Sequence, residues 1–147
     1  MNVGNTPLIK LSDKLYGKFE ALNPGGSIKD RPVKYILDSY EEDGLLKKGD
    51  TIIEATSGNT GISLAMICAE RGYKCIIVMP SDMSVERKKM MKFFGAELVE
   101  VDAGDFDGAI IKKTKIFLNV RSLLALLIFY KSTFYFIFVR YYKKGLY

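Results

Sequence analysis

Residues 1–111 call for an α/β architecture with a largely parallel sheet flanked by helices, and three observations lead there. Apolar runs of strand length alternate with stretches of helical periodicity ten or more residues long. Glycines close the helical stretches, at Gly44, Gly72 and Gly95. Two glycine-rich turns each follow a strand-like run, and the carboxyl ends of strands are where such sheets carry ligands.

The elements follow in order. "FEAL", Phe19–Leu22, is a short extended run that ends at the turn "NPGG". In "RPVKYILDSYEEDG" the residues Val33, Ile36, Leu37 and Tyr40 share one helical face, and Pro32 is tolerated in the first turn. "TIIEA", Thr51–Ala55, is β-branched and strand-like. "SGNTG" then turns the chain into "NTGISLAMICAERG", a helix with Ile62, Leu64, Ala65, Ile67 and Cys68 mostly inward. "KCIIVMP" is too short for a helix and is stopped by Pro80, which makes it a buried strand. "SVERKKMMKFFG" is a third helix, N-capped by Ser84. "AELVEVD" is another strand, and "FDGAIIKK" begins a fourth helix.

Composition divides the 147 residues in two. The formal charge is +5, yet residues 112–147 hold eight Lys and Arg and no acid, so residues 1–111 are net acidic. Ten of the eighteen aromatics also fall in that tail. The basic balance is therefore no sign of a nucleic-acid surface on the main body. The absence of histidine excludes Ser-His-Asp and Cys-His nucleophiles and His-ligated metal sites. Cys68 and Cys75 lack a CxxC spacing and read as core filler in a reducing cytosol; no metal site is expected. No basic-then-apolar leader opens the chain, and a cytoplasmic location is expected.

Two turns carry candidate chemistry. In "TSGNTG", Thr56–Gly61, Gly58 and Gly61 permit close backbone approach, and the first amides of the following helix have no internal acceptor. With hydroxyls from Thr56, Ser57 and Thr60 and the amide of Asn59, the turn suits a carboxylate or phosphate. It is neither a Walker loop nor GxGxxG, so a nucleotide phosphate is not the natural ligand. The plain alternative is an N-cap with turn glycines. Lys29 follows Gly25-Gly26-Ser27 where a helix begins. The positive end of a helix disfavours an ammonium, and an amine becomes a nucleophile once desolvated or bound as an imine. A solvated surface charge is the plain alternative there. Asp30 and Arg31 read as a structural ion pair or cap.

"NPGGSIKDR", followed about thirty residues later by "EATSGNTGISLA", resembles the fold-type II pyridoxal-phosphate enzymes, in particular the cysteine synthase (O-acetylserine sulfhydrylase) and cystathionine β-synthase family. "VGNTPLIKL" at Val3–Leu11 and "MPSDMSVERKKMMKFFGAELV" at Met79–Val99 resemble that family too, in the same order. The resemblance covers about Val3 to Ile111 and implies the amino-terminal half of a three-layer enzyme fold. It implies that Lys29 binds the aldehyde of pyridoxal 5'-phosphate and later removes the substrate's α-proton, and that Asn59 contacts the ring's 3'-oxygen. Thr56, Ser57, Gly58 and Thr60 would grip the substrate carboxylate. The implied reaction is β-replacement on O-acetylserine by sulfide to give cysteine, usually in a homodimer. Homocysteine is the alternative nucleophile; the "MSVERKKMMKFFGAE" stretch leans towards sulfide.

The family's glycine-rich cup for the cofactor phosphate, and the hydroxyl that meets the pyridine nitrogen, come from a later part of its chain. Nothing after Ile111 resembles either. Residues 112–147 form a divergent, hydrophobic, basic tail. Ser122–Val139 is an eighteen-residue apolar stretch interrupted by Lys131, with flanking Arg121 and Arg140 that suit membrane contact. The competing reading, a frameshift in an AT-rich gene, accounts for the tail's whole amino-acid set. A truncated, weakly active or inactive enzyme is expected, with a non-catalytic remnant or membrane-associated fragment as the alternative.

Overall fold

The computed structural model describes residues 1–119 and 123–125. Its main sheet has four parallel strands: β3 (Thr51–Ala55), β4 (Lys74–Pro80), β5 (Glu97–Val101) and β6 (Leu123–Ala125). They lie in the order β5-β4-β3-β6. The helices between them are α2 (Asn59–Arg71), α3 (Val85–Phe93) and α4 (Phe106–Asn119), and α1 (Asp30–Glu42) precedes β3. A separate antiparallel hairpin, β1 (Leu8–Ser12) and β2 (Leu15–Lys18), precedes them all.

Strand alternation divides the core into two layers. Ile52 and Ile77 point to a large cluster with Val33 and Leu37 of α1, Leu64 and Ile67 of α2, and Met91 of α3. Their neighbours Ile53 and Val78 point to the opposite face, where Ala109, Ile116 and Phe117 of α4 meet them. The sheet is thus covered on both faces, as the alternating pattern required. Each fully buried Ile or Leu contributes about 1.5–3 kcal/mol. Helix α2 is buried continuously from Thr60 to Cys68 and is the central helix of its layer. The αL conformation of Gly72 (φ +77°) ends it, with the Gly72 amide bonded back to the Cys68 carbonyl.

Helix α1 is held to α2 at its carboxyl end by charge. Arg71 donates to Asp38 Oδ1 at 2.6 Å and to Glu41 Oε1 at 3.0 Å, and the Tyr73 hydroxyl donates to the same Glu41 oxygen at 2.5 Å. Burial, and then the bond to Glu41, push the Tyr73 phenol well up. Cys68 and Cys75 are buried free thiols in the large cluster; a hydrogen bond with Cys68, then burial, raises the Cys75 thiol well above its ordinary value.

One local expectation is corrected, and one element was not anticipated. "FEAL" is not extended: Glu20–Leu22 is a 3-10 turn, closed by Leu22 N to Phe19 O at 3.3 Å and Asn23 N to Glu20 O at 3.2 Å. The hairpin Leu8–Lys18 escaped the sequence pattern because its residues are almost all exposed, so no alternation of buried and polar positions marks it. Leu8, Leu11, Leu15 and Tyr16 leave it an apolar surface outside the main sheet. Helix α4 begins as expected but runs through the compositional change at Ile111 to Asn119. Among the described residues no helix is long and apolar enough to cross a membrane. Most of the stretch Ser122–Val139, read as membrane-seeking or frameshifted, lies outside the described residues.

Candidate active site

The segment before Lys29 is shaped by its glycines. Gly26 has φ +79°, a conformation that favours glycine. At Gly25 the constraint is space: a Cβ there would lie 2.3 Å from Asp30 Oδ1. The Gly25 amide donates to Asp30 Oδ2 at 2.6 Å, so the turn folds directly onto the first residue of α1. Ser27 is buried, and its hydroxyl accepts from the Lys29 amide at 3.1 Å. Lys29 itself is the N-cap residue of α1 and is half-buried.

A polar clamp brackets this turn. Arg31 grips Glu20 with two prongs, Nε to Oε2 at 2.7 Å and Nη2 to Oε1 at 2.9 Å. The Thr6 hydroxyl donates to Glu20 Oε1 at 2.6 Å, and Asn23 Nδ2 donates to Oε2 at 2.8 Å. Asn23 Oδ1 accepts from the Gly4 amide at 2.9 Å. The Arg31 hydrogen bond, followed by that of Thr6, pulls the Glu20 carboxyl down to about 2. Arg31 forms an ion pair, with Glu20, whereas Asp30 is fully buried and accepts from the Gly25 amide and the Ser63 hydroxyl in place of the expected ion pair or cap.

The second turn follows β3 directly. Thr56 continues the strand pairing through its amide to Val78 O at 3.1 Å, and Thr56, Ser57 and Gly58 are half-buried. Asn59 is exposed and Thr60 buried. Gly58 is the N-cap of α2, and no side chain caps that helix. A Cβ at Gly58 would meet nothing within 4 Å, so its side of the turn is open. Gly61 faces the other way, against Met91 Cε and Thr56 Cγ2.

The two turns meet through Asp30. Its Oδ1 accepts from the Ser63 hydroxyl, one helical turn after Asn59, and Ser63 Oγ lies 2.9 Å from the Asn59 carbonyl oxygen. The residue next to Lys29 is therefore bonded to the first turns of the helix that Asn59 opens. Of the expected site residues, Lys29 precedes Asp30 in the chain and the Thr56–Thr60 turn opens α2, so the Asp30–Ser63 bond links the segments that carry them. Sequence reasoning missed Ser63; its signal was a lone hydroxyl at i+4 from Asn59 within the apolar run "ISLAMIC". A depression of about 330 Å³ lined by Val101, Asp105, Ile111 and Lys112 includes none of these residues.

Residues 1–121 match the family described as pyridoxal-phosphate dependent enzyme. Cysteine synthase of Staphylococcus aureus is 45% identical over 120 residues, which is 77% of this chain and 39% of that protein. Cystathionine beta-synthase of Apis mellifera is 52% identical over 106 residues, 66% of this chain and 21% of that one. A solved hydrogen sulfide-producing enzyme from Fusobacterium nucleatum superposes with a TM-score of 0.78 at 42% identity, over 84% of this chain and 42% of that chain. The chain thus spans about two fifths of the length of the cysteine synthase it matches.

Proposed function

This chain belongs to the family of pyridoxal-phosphate dependent enzymes, and on that premise we propose that it carries the amine and the substrate turn of a cysteine-forming β-replacement enzyme. The substrate class is an O-acylated serine, O-acetylserine in the first instance, with sulfide as the incoming nucleophile. Pyridoxal 5'-phosphate, when bound, supplies the electron-withdrawing ring that lets an amino acid lose its α-proton.

The residues present fit that cofactor on two sides. Lys29 is a half-buried residue at a helix start, and the turn at Gly58 is open beside a helix start that no side chain caps by a hydrogen bond. Lys29 would bind the aldehyde carbon and, once displaced by substrate, take the α-proton at its Nζ, so one amine serves as anchor and then as base. Asn59 would hydrogen-bond the ring's 3'-oxygen. Thr56, Ser57, Gly58 and Thr60 would hold the substrate carboxylate at the amino end of α2, where the helix potential is positive. Nothing after Ile111 resembles the family's cup for the cofactor phosphate, so weak cofactor retention and low turnover belong to the proposal. The unlinked buried thiols suit a cytosolic setting.

One observation carries the reading most: the bond from Asp30 to Ser63, which ties the lysine segment to the helix opened by Asn59. Homocysteine in place of sulfide is the second reading, supported by the Apis mellifera relative. The test is reduction with borohydride in the presence of pyridoxal 5'-phosphate, followed by peptide mapping. The expected result is one dominant pyridoxyl label, on Lys29, that Lys29→Ala removes. A label spread evenly over the surface lysines, or equal total label in Lys29→Ala, would refute it.

A further inference from the structure

We infer that Asp30 is a positioning residue whose buried carboxylate sets the placement of Lys29 relative to Asn59; the inference rests on the function proposed above. Asp30 is fully buried, and its two oxygens face different parts of the fold. Oδ2 takes the Gly25 amide at 2.6 Å, from the turn that precedes Lys29. Oδ1 takes the hydroxyl of Ser63, itself fully buried on α2. The backbone of Lys29 is thereby fixed from both sides, by its own turn and by the neighbouring helix.

The donors explain why a carboxylate stands here. Ser63 has one hydroxyl proton and two acceptors in reach, Asp30 Oδ1 and the Asn59 carbonyl. The charged oxygen is the stronger acceptor and takes it. An asparagine at position 30 keeps the shape but changes the direction of bonding: its oxygen can still accept from Gly25, while its amide must donate to Ser63 Oγ. The Ser63 proton then turns to the Asn59 carbonyl. Connectivity survives with neutral, weaker bonds. An alanine removes both ties: it leaves the Gly25 amide without its acceptor and turns the Ser63 hydroxyl to the Asn59 carbonyl alone. The nearby glycine fits this role too, because a Cβ at position 25 would occupy the space of Asp30 Oδ1.

The test compares the ratio of pyridoxyl label on Lys29 to label on the exposed Lys89 and Lys92 within one sample, using pyridoxal 5'-phosphate and borohydride. Asp30→Ala is expected to lower that ratio about tenfold, since a misplacement near 1 Å is costly to a reacting group. Ser63→Ala lowers it by less, and Asp30→Asn restores most of the parent ratio. The double variant Asp30→Ala/Ser63→Ala falls no further than Asp30→Ala, because both act through one tie. Circular dichroism matching the parent separates this from unfolding. If Asp30→Ala does not fold, Ser63→Ala decides, and a parent-like ratio there overturns the inference. If the parent shows no preference for Lys29, the proposed function falls instead. Hydrogen exchange at the Gly25 amide then judges the tie: faster exchange in Asp30→Asn supports it, and an unchanged rate overturns it.

Discussion

Assayed alone with O-acetylserine and sulfide, the 147-residue chain will form cysteine at least about 10⁴-fold more slowly than the full-length cysteine synthase of Staphylococcus aureus, because losing one preorganised transition-state contact typically costs about 10²–10³ and misplacing the reactants about 10². The chain spans 39% of that relative. On the proposed reading it carries the amine, the asparagine and the substrate turn; what the resemblance assigns to the remainder is the phosphate cup and the partner of the ring nitrogen. The proposed Lys29 chemistry would therefore run on a cofactor held at one end. Cysteine formation followed over hours, with the relative as reference, reads the difference. A rate within about tenfold of the relative, where about 10⁴ was expected, would show that residues of this chain replace the missing contacts.

The second large effect concerns stability. Lys113 of α4 faces Glu54 of β3 at 3.4 Å, with side chains only 4% and 5% exposed. Glu54 Oε1 also accepts the Ala55 amide at 3.0 Å, immediately before the Thr56–Thr60 turn. Burial, and then the Glu54 charge, push the Tyr40 phenol up to about 12. Lys113→Met removes one cationic partner from the buried Glu54 carboxylate, and breaking a buried pair costs about 3–5 kcal/mol. In thermal unfolding that is a fall of about 10 °C or more for a chain of this size. The double variant Glu54→Leu/Lys113→Met recovers most of the loss, because two apolar side chains replace two desolvated charges. A single variant as stable as the parent would mean that the pair is open to solvent.

This pair also shows where the sequence is legible and where it is not. Strand Thr51–Ala55 was readable to the residue from its β-branched residues, and Lys74–Pro80 from the continuous apolar run that burial on both faces demands. Helix α3 was readable at its start, since Ser84 accepts from the Arg87 amide in the structure. Helix α4 was readable only in its first half. Beyond Ile111 the change in composition hides the periodicity that still carries Ile116 and Phe117 to the core. The turn at Glu20 was misread because a bond to Arg31, eleven residues on, decides it.

The candidate site follows the same division. Its residue types were visible in two short motifs, since amines, glycines and hydroxyls announce themselves locally. The tie between the two segments was not, because it depends on Ser63 reaching Asp30 across thirty-three residues. A buried carboxylate bonded to a lone serine has no periodic signature. The hairpin was invisible for the opposite reason: exposed on both faces, it lacks the polar alternation by which a half-buried strand is known.

The claim on which the account rests is that Lys29 and the Thr56–Thr60 turn face one ligand. Amide chemical shifts of the ¹⁵N-labelled chain, measured before and after addition of pyridoxal 5'-phosphate, test it most directly. The account predicts that the amides of Ser57, Gly58, Asn59 and Thr60 shift together with those around Lys29, and that Lys29→Ala abolishes both sets of shifts. Shifts confined to residues 28–31, with the turn before α2 unmoved, would contradict it.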